Sequence, residues 1–522
     1  MTRAIRRRLL VPVLAVLAVT AGDSVGAQQR GGVLRVAVPT TPTGYVITQA
    51  GGLADVIIEK LFQNALTRYD EKTLQPIPNL ATEWRAEDSA RIWTFKLRAG
   101  VKWHDGKPFT AEDVKFTFDT IFNKDVRARM RGNMGPLERV EIVDPTTVRF
   151  TFKEPFAPFP VMVGYNAGII PRHLLAGQDP NNPAEFLKKP IGTGPFRFKE
   201  AVAGSHVVLE ANPDYWEGRP ALDQVVLKVV PDVNAQIAQL KSGDLDLALI
   251  QPKNIAALEG DPNVAVTTAR QVNYFYVALT NKDEIFADVR VRQALNYAVD
   301  KAAMIRAVLR GHGEVATGPI SPVLGWAYTK DVRQYPYDVG RAKALLDEAG
   351  WRHGPEGVRQ KGGKKLAVTL TTSKGVLDGE QLATVIQQYL QAVGVEAKIN
   401  LVEFAHLWTG LFKGEFQASV EYLITPPDPD LFGALSCNAP LNRFSYCNPK
   451  VDVLLTQGRA TPDLKARAAV YAQAQKELAE VPSGIYLYYP LEVRAMNRKF
   501  RGFPEMPLRD AFQHSAKFWL AR

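Results

Sequence analysis

Residues 222–250, LDQVVLKVVPDVNAQIAQLKSGDLDLALI, constrain the fold more than any other stretch of the chain. They read as strand, helix, strand: two short apolar runs separated by a helix-spaced set. Helices alternating with strands in this way build an α/β architecture with a partly parallel sheet.

The same grammar recurs along the chain. Val33–Val38 reads as a buried strand that ends in a Pro/Thr/Gly loop, and GGLADVIIEKLFQNAL suits a helix. Trp93, Phe95 and Leu97 alternate as in a strand, and Asp105-Gly106 is a turn. Thr110 with Asp113 forms a capping arrangement ahead of the apolar stripe Val114, Phe118, Ile121, Phe122. Two β-rich runs around Asp144-Pro145 read as a hairpin. Asp288 opens a helix carrying Val291, Leu295, Ala298 and Val299 on one face. Gly350 and Gly394 stop two further helices. At 522 residues, with 46% hydrophobic and 23% charged residues, the chain has ample core for two to four domains.

The first 27 residues read as an export signal rather than as part of the fold. Arg3, Arg6, Arg7 and Arg8 precede the short apolar run Leu9–Val19, and small residues at Val25–Ala27 place cleavage near Ala27. No cysteine lies near that point to carry a lipid. Removing four Arg and Asp23 lowers the formal charge from +10 to about +7. The remaining basic residues are dispersed, which describes a solvated surface and not a nucleic-acid footprint. The chain has two cysteines, Cys437 and Cys447. In an exported protein they are expected to pair, since a metal site lacks third and fourth ligands nearby.

Catalytic signatures are missing. GxSxG, HExxH, a Walker A loop and GxGxxG are absent, and GTGPFR (Gly192–Arg197) reads as a turn crossing between domains. Seven histidines are scattered without an i,i+4 pair, and His104-Asp105 sits beside a turn and a helix cap. The expectation is a non-enzyme without cofactor or metal.

Six stretches in order carry a resemblance. They are Asn79–Asp119 (NLATEWRAEDSARIWTFKLRAGVKWHDGKPFTAEDVKFTFD), IGTGPFRFKE, NPDYWEGRPALDQVVLKVVPD, QIAQLKSGDLDLALI, DVRVRQALNYAVDK and AKALLDEAGW. Together they resemble the family 5 extracytoplasmic solute-binding proteins, the peptide-, nickel- and opine-type receptors of ABC importers. The resemblance covers essentially residues 31–520. It implies a two-lobed periplasmic binding protein of the Venus-flytrap kind (type II-like, cluster C) with an added small domain. Lobe I would comprise residues 28–75, 191–271 and 483–522. The inserted domain would span 76–190, and lobe II 272–482, with hinge crossings near 270–280 and 482–490. It also implies a monomer, soluble in the periplasm, that hands a peptide or peptide-like solute to an inner-membrane ABC permease.

Position within the resemblance nominates ligand residues: Thr40, Thr41 and Tyr45 after the first strand; Asn273, Tyr274 and Tyr276 at the first crossing; Lys374 in a loop; Phe404 and Trp408 after a lobe II strand. In EYLITPPDPDLF, peptide-binding members read W-x-x-D-x-x-D-P, and their first Asp pairs with the ligand α-ammonium. Aligned on Asp428-Pro429, this chain has Tyr422 for the Trp and Thr425 for that Asp. A buried ammonium without a counter-charge is costly. A non-peptide solute (an opine, a glycoside or a modified amino acid) therefore stays open, as do a secreted hydrolase and a chaperone-like binder.

Overall fold

The computed structural model describes residues 30–46, 51–165, 167–374, 378–439 and 441–521. The expected export signal lies outside them. Among the described residues no helix is long and apolar enough to cross a membrane.

One strand organises the molecule. Gly484–Asn497 is fourteen residues long. Its first half pairs antiparallel with Tyr274–Leu279, and its second half with Leu247–Ile250 and Val264–Arg270. The twelve-stranded central sheet is thus two half-sheets joined through a shared strand. Outward on one side lie Tyr274–Leu279, Ala418–Leu423, Ala367–Ser373 and Glu396–Val402. On the other lie Leu247–Ile250, Val33–Val38, Gln224–Val229, His206–Ala211 and Phe196–Val202. Backbones meet closely at the start of the shared strand. A Cβ on Gly484 would sit 2.3 Å from the Val277 carbonyl oxygen, so this position admits only glycine without displacement.

The 222–250 stretch folds as strand Gln224–Val229, helix Val233–Ser242 and strand Leu247–Ile250. Its two strands do not pair with each other. Val33–Val38 lies between them, parallel to both.

A separate antiparallel sheet holds Ala81–Glu87, Ile92–Leu97, Thr147–Phe152 and Leu137–Asp144, in that order. Helix Ala111–Phe122 packs on it and opens with the Thr110 amide donating to Asp113 Oδ2 at 3.0 Å. Phe95, Phe118, Phe150 and Phe159 meet edge to face, with centroids 4.8–6.0 Å apart. This core continues into helices Pro449–Ala460 and Leu464–Glu480 through Val451, Leu455 and Tyr471.

Two motifs that resembled chemistry prove to be joints. His104 is pushed down to about 4 by burial, so it is neutral at ordinary pH. Its ring contacts the Gly194 carbonyl at 3.0 Å and accepts from the Gly192 amide at 3.2 Å. It therefore pins the GTGPFR turn. In PPDPD, Asp428 takes both terminal nitrogens of Arg467 at 2.7 Å, and both side chains are buried. Asp430 takes Arg459 in the same two-pronged way, at 2.7–3.1 Å. The stiff corner is thereby fastened to the last two long helices. Cys437 and Cys447 are disulfide-bonded just beyond it.

Two stability outcomes are expected in denaturant titrations. Arg467→Ala strands the buried Asp428 carboxylate and should cost about 3–5 kcal/mol. Replacing both cysteines by serine reopens a short loop and should cost about 2–3 kcal/mol.

Candidate ligand cleft

A cavity with a mixed lining opens where the two half-sheets meet, with a volume of about 480 Å³. One wall comes from Gly51–Leu53, Leu249–Pro252, Pro490–Val493, Pro507 and Arg509. The facing wall comes from Gln271, Asn273, Phe275, Asp378, Tyr422 and Ile424. A second cavity of about 370 Å³ adjoins it and shares Phe275, Tyr422 and Ile424. It exists because strands Ala367–Ser373 and Ala418–Leu423 pair only at Leu370–Ala418 and Thr371–Ser419 before parting. Helix Phe404–Lys413 lays Phe404, Leu407, Trp408 and Leu411 over that fork. Phe404 is 56% and Trp408 50% exposed, apolar surface of the kind a ligand covers.

Local folding sets each wall. Asp55 is buried in the first turn of helix Leu53–Phe62 and accepts from the amides of Thr43, Gly44, Gly51 and Gly52 at 2.7–3.1 Å. Those bonds wrap the preceding loop around the helix start.

On the facing wall a closed triangle fixes the crossing strand. The Asn273 amide donates to Gln271 Oε1 at 2.9 Å and to the Tyr422 hydroxyl at 2.8 Å. The Tyr422 hydroxyl donates to Gln271 Oε1 at 3.0 Å, and burial pushes it up to about 12. Tyr422 also packs on Phe275 with ring centroids 4.7 Å apart. Among the described residues the Gln271 amide nitrogen makes no hydrogen bond, which leaves it to serve a ligand carbonyl.

The charges of the cleft divide into spoken-for and free. Glu492 accepts the Leu508 amide at 2.8 Å and lies 2.9 Å from Arg494 Nε. Arg494 in turn donates to the Pro504 and Met506 carbonyls. Arg509 lies over the Tyr165 ring at 4.5 Å. Asp378 is different. It stands at the N-cap of helix Gly379–Ala392 yet makes no side-chain cap bond. No cation of the described residues lies within ion-pair distance of it. Burial raises its carboxyl above the ordinary range, while Lys253 on the opposite lobe works the other way.

Of the nominated residues, Asn273, Tyr422, Phe404 and Trp408 line these cavities. Tyr274 and Tyr276 do not. Gln271 and Asn273, on the segment before strand Tyr274–Leu279, and Phe275 on that strand face the cleft, and side chains alternate along the strand. Tyr274 and Tyr276 face the other side, where both pack against Tyr486 at 5.6 and 5.9 Å. Thr40 is on the surface, and Thr41 Oγ1 accepts the Gly204 amide at 2.8 Å. Tyr45 is buried against Phe62 and Phe198. Lys374 is exposed, 3.3 Å from Glu403. Thr425 donates its hydroxyl to Val272 O and its amide to Asn273 Oδ1, both at 3.2 Å. Asp428 is consumed by Arg467.

Sequence reasoning missed Gln271, Phe275, Asp378, Ile424, Glu492 and Arg509. The one available signal was parity. Parity along the strand that begins at Tyr274 sets Phe275 on the face opposite Tyr274 and Tyr276.

Among known proteins, residues 75–439 match the bacterial extracellular solute-binding proteins, family 5 middle region. The oligopeptide-binding protein AppA of Bacillus subtilis (strain 168) is 35% identical over 522 residues, 96% of this chain and 94% of that protein. The structure of AppA from Bacillus subtilis in complex with a nonapeptide aligns with a TM-score of 0.79 at 34% identity. It covers 95% of this chain and 100% of that one. NikZ from Campylobacter jejuni, in complex with Ni(L-His), aligns with a TM-score of 0.79 at 27% identity, covering 93% of this chain and 99% of that one.

Asn273→Ala opens the triangle and removes the acceptor of the Thr425 amide. Its expected cost is about 1–3 kcal/mol in chemical denaturation. The equivalent loss should not follow from Thr40→Ala, which leaves the cleft intact.

Proposed function

The chain belongs to family 5 of the bacterial extracellular solute-binding proteins, and from that premise we propose that it captures a peptide or peptide-like solute between its lobes and delivers it to an inner-membrane ABC permease. The observation that carries this reading is the make-up of the cleft. Apolar and aromatic walls surround a donor that makes no hydrogen bond among the described residues, the Gln271 amide nitrogen, and an acceptor without an ion-pair partner among them, Asp378. A peptide supplies the complement of both: a carbonyl for Gln271 and an amino group for Asp378. Asp378 thus offers, from another element, the negative charge that Thr425 does not. The relative named as an oligopeptide-binding protein, and its complex with a nonapeptide, support the same solute class.

The work is mechanical. In this reading lobe I is built from residues 28–75, 191–271 and 483–522, lobe II from 272–482, and 76–190 form the inserted domain. The two crossings run side by side, since Arg270 pairs with Leu491 and Phe275 with Tyr488. Small backbone rotations there would swing one half-sheet against the other. A solute touching both walls favours the closed form by its difference in affinity for the two forms. The closed form then docks on the permease in the periplasm, after export and cleavage near Ala27, as a monomer and without turnover.

The direct test is to purify the protein without added solute, denature it and identify released molecules by mass spectrometry. Each is then added back to emptied protein. A genuine ligand raises the unfolding temperature by mass action. Conversion of the bound compound into a product, or stabilisation by non-peptide compounds alone, would sink the proposal.

Asp378 gives a sharper expectation by calorimetry. An ammonium is held by the ionised carboxylate. Affinity is therefore full above the raised range of that carboxyl and falls as pH drops through it. Asp378→Asn should weaken a free-amine peptide about 10- to 100-fold at neutral pH and flatten the acid dependence. The N-acetylated peptide should be indifferent to the substitution.

A further inference from the structure

A third cavity, of about 150 Å³, shares no lining residue with the cleft. It lies in lobe II, between the start of helix Lys301–Leu309, residues 333–336 and the end of helix Leu464–Glu480. Its polar lining is Asn296, Lys301, Thr317 and Gln334, and its apolar side is Ala316, Leu478 and Pro482.

Lys301 is the unusual member. It is 6% exposed, and no carboxylate of the described residues lies within ion-pair distance of its ammonium. Nζ donates to Asn296 Oδ1 at 3.3 Å and stands 5.9 Å from the Tyr335 ring. Asn296 is itself held by its donation to the Arg292 and Gly484 carbonyls. An ammonium carries three donors, and the described residues satisfy one. Burying a cation in this state is costly unless something negative joins it.

The other titratable groups of the cavity are already settled. Arg333, at the mouth, is 2.6 Å from Glu480. The Tyr335 and Tyr486 hydroxyls are both raised by burial, so neither supplies an anion near neutrality. The site therefore holds one uncompensated positive charge.

We propose that this cavity is an accessory site for a small monocarboxylate, with its carboxylate on Lys301 Nζ and its short hydrocarbon part against Ala316, Leu478 and Pro482. The volume exceeds what one inorganic ion fills, as an enclosed water needs only about 10–15 Å³ of the same kind of space. One apolar side and one cation match an acetate-sized anion. Desolvation lowers Lys301 to about 7. Its charged form, and with it anion binding, is thus poised to be lost as pH rises above neutrality. The inference stands apart from the cleft and does not depend on what the cleft binds.

The test uses the full-length exported protein with lysine labelled by 13C at Cε and acetate as the probe. The Lys301 signal is followed over pH in sodium acetate, in sodium chloride and in the sodium salt of a large organic sulfonate, at matched ionic strength. The expected result is a midpoint raised by about one unit in acetate alone, which corresponds to about tenfold preference for the charged amine. Acetate should also raise the unfolding temperature of the wild type near pH ~6 and not near pH ~9, and should leave Lys301→Met unmoved at both. An equal midpoint in all three salts would overturn the proposal. So would equal stabilisation of Lys301→Met, or a midpoint raised as far by chloride as by acetate.

Discussion

The pairing of Gly484–Asn497 with both half-sheets is the constraint on which the rest of the structure depends. A strand has two edges, and this one spends them on different partners along its length. Tyr274–Leu279 and Gly313–Val315 pair with it up to Pro490, and Leu247–Ile250 and Val264–Arg270 pair with it beyond. The cleft is a consequence. Where one strand serves two half-sheets, the side chains at its midpoint, Pro490–Val493, become floor, and the neighbouring elements rise on either side as walls. The close approach at Gly484 fixes the register of that strand against Tyr274–Leu279. It thereby fixes which residues of the crossing look into the cavity.

Buried charge is handled in two ways in this molecule, and the contrast separates scaffold from site. Asp428 with Arg467 and Asp430 with Arg459 are hydrogen-bonded pairs that fasten a loop to the body, and Glu492 lies in an ion pair with Arg494. Each is costly to break. Among the described residues Asp378 and Lys301 have no such partner, and each lines a cavity. Uncompensated charge at a cavity wall is where a solute gains most, because the protein alone leaves its electrostatics unfinished.

Much of the fold was legible in local pattern. Thr110 with Asp113, Asp288, Gly350 and Gly394 mark helix ends in the sequence, and they mark them in the structure. The hairpin around Asp144-Pro145 forms as read. These features depend on contacts within a few residues, so the pattern carries them. The site was less legible. Phe404 and Trp408 stood out as aromatic residues following a strand, and they line the cleft from a helix. Tyr274 and Tyr276 stood out equally and pack on the opposite face, because aromatic content does not reveal which way an alternating strand faces. The acids of PPDPD drew attention, yet their guanidinium partners lie 29 and 39 residues further on. Asp378 was not singled out, and its missing cap bond shows only in the structure.

By itself the sequence determined the alternation of strands and helices, the capped ends, the family and the pairing of its only two cysteines. Each follows from composition, from short-range periodicity or from an ordered set of motifs. Only the tertiary structure decided that Val33–Val38 inserts between two strands that are neighbours in sequence, that one strand is shared by both half-sheets, and that Asp378 lies on the wall of the cleft. These facts rest on pairing and burial between segments hundreds of residues apart, and the free energy of such contacts is written in no single stretch of the chain.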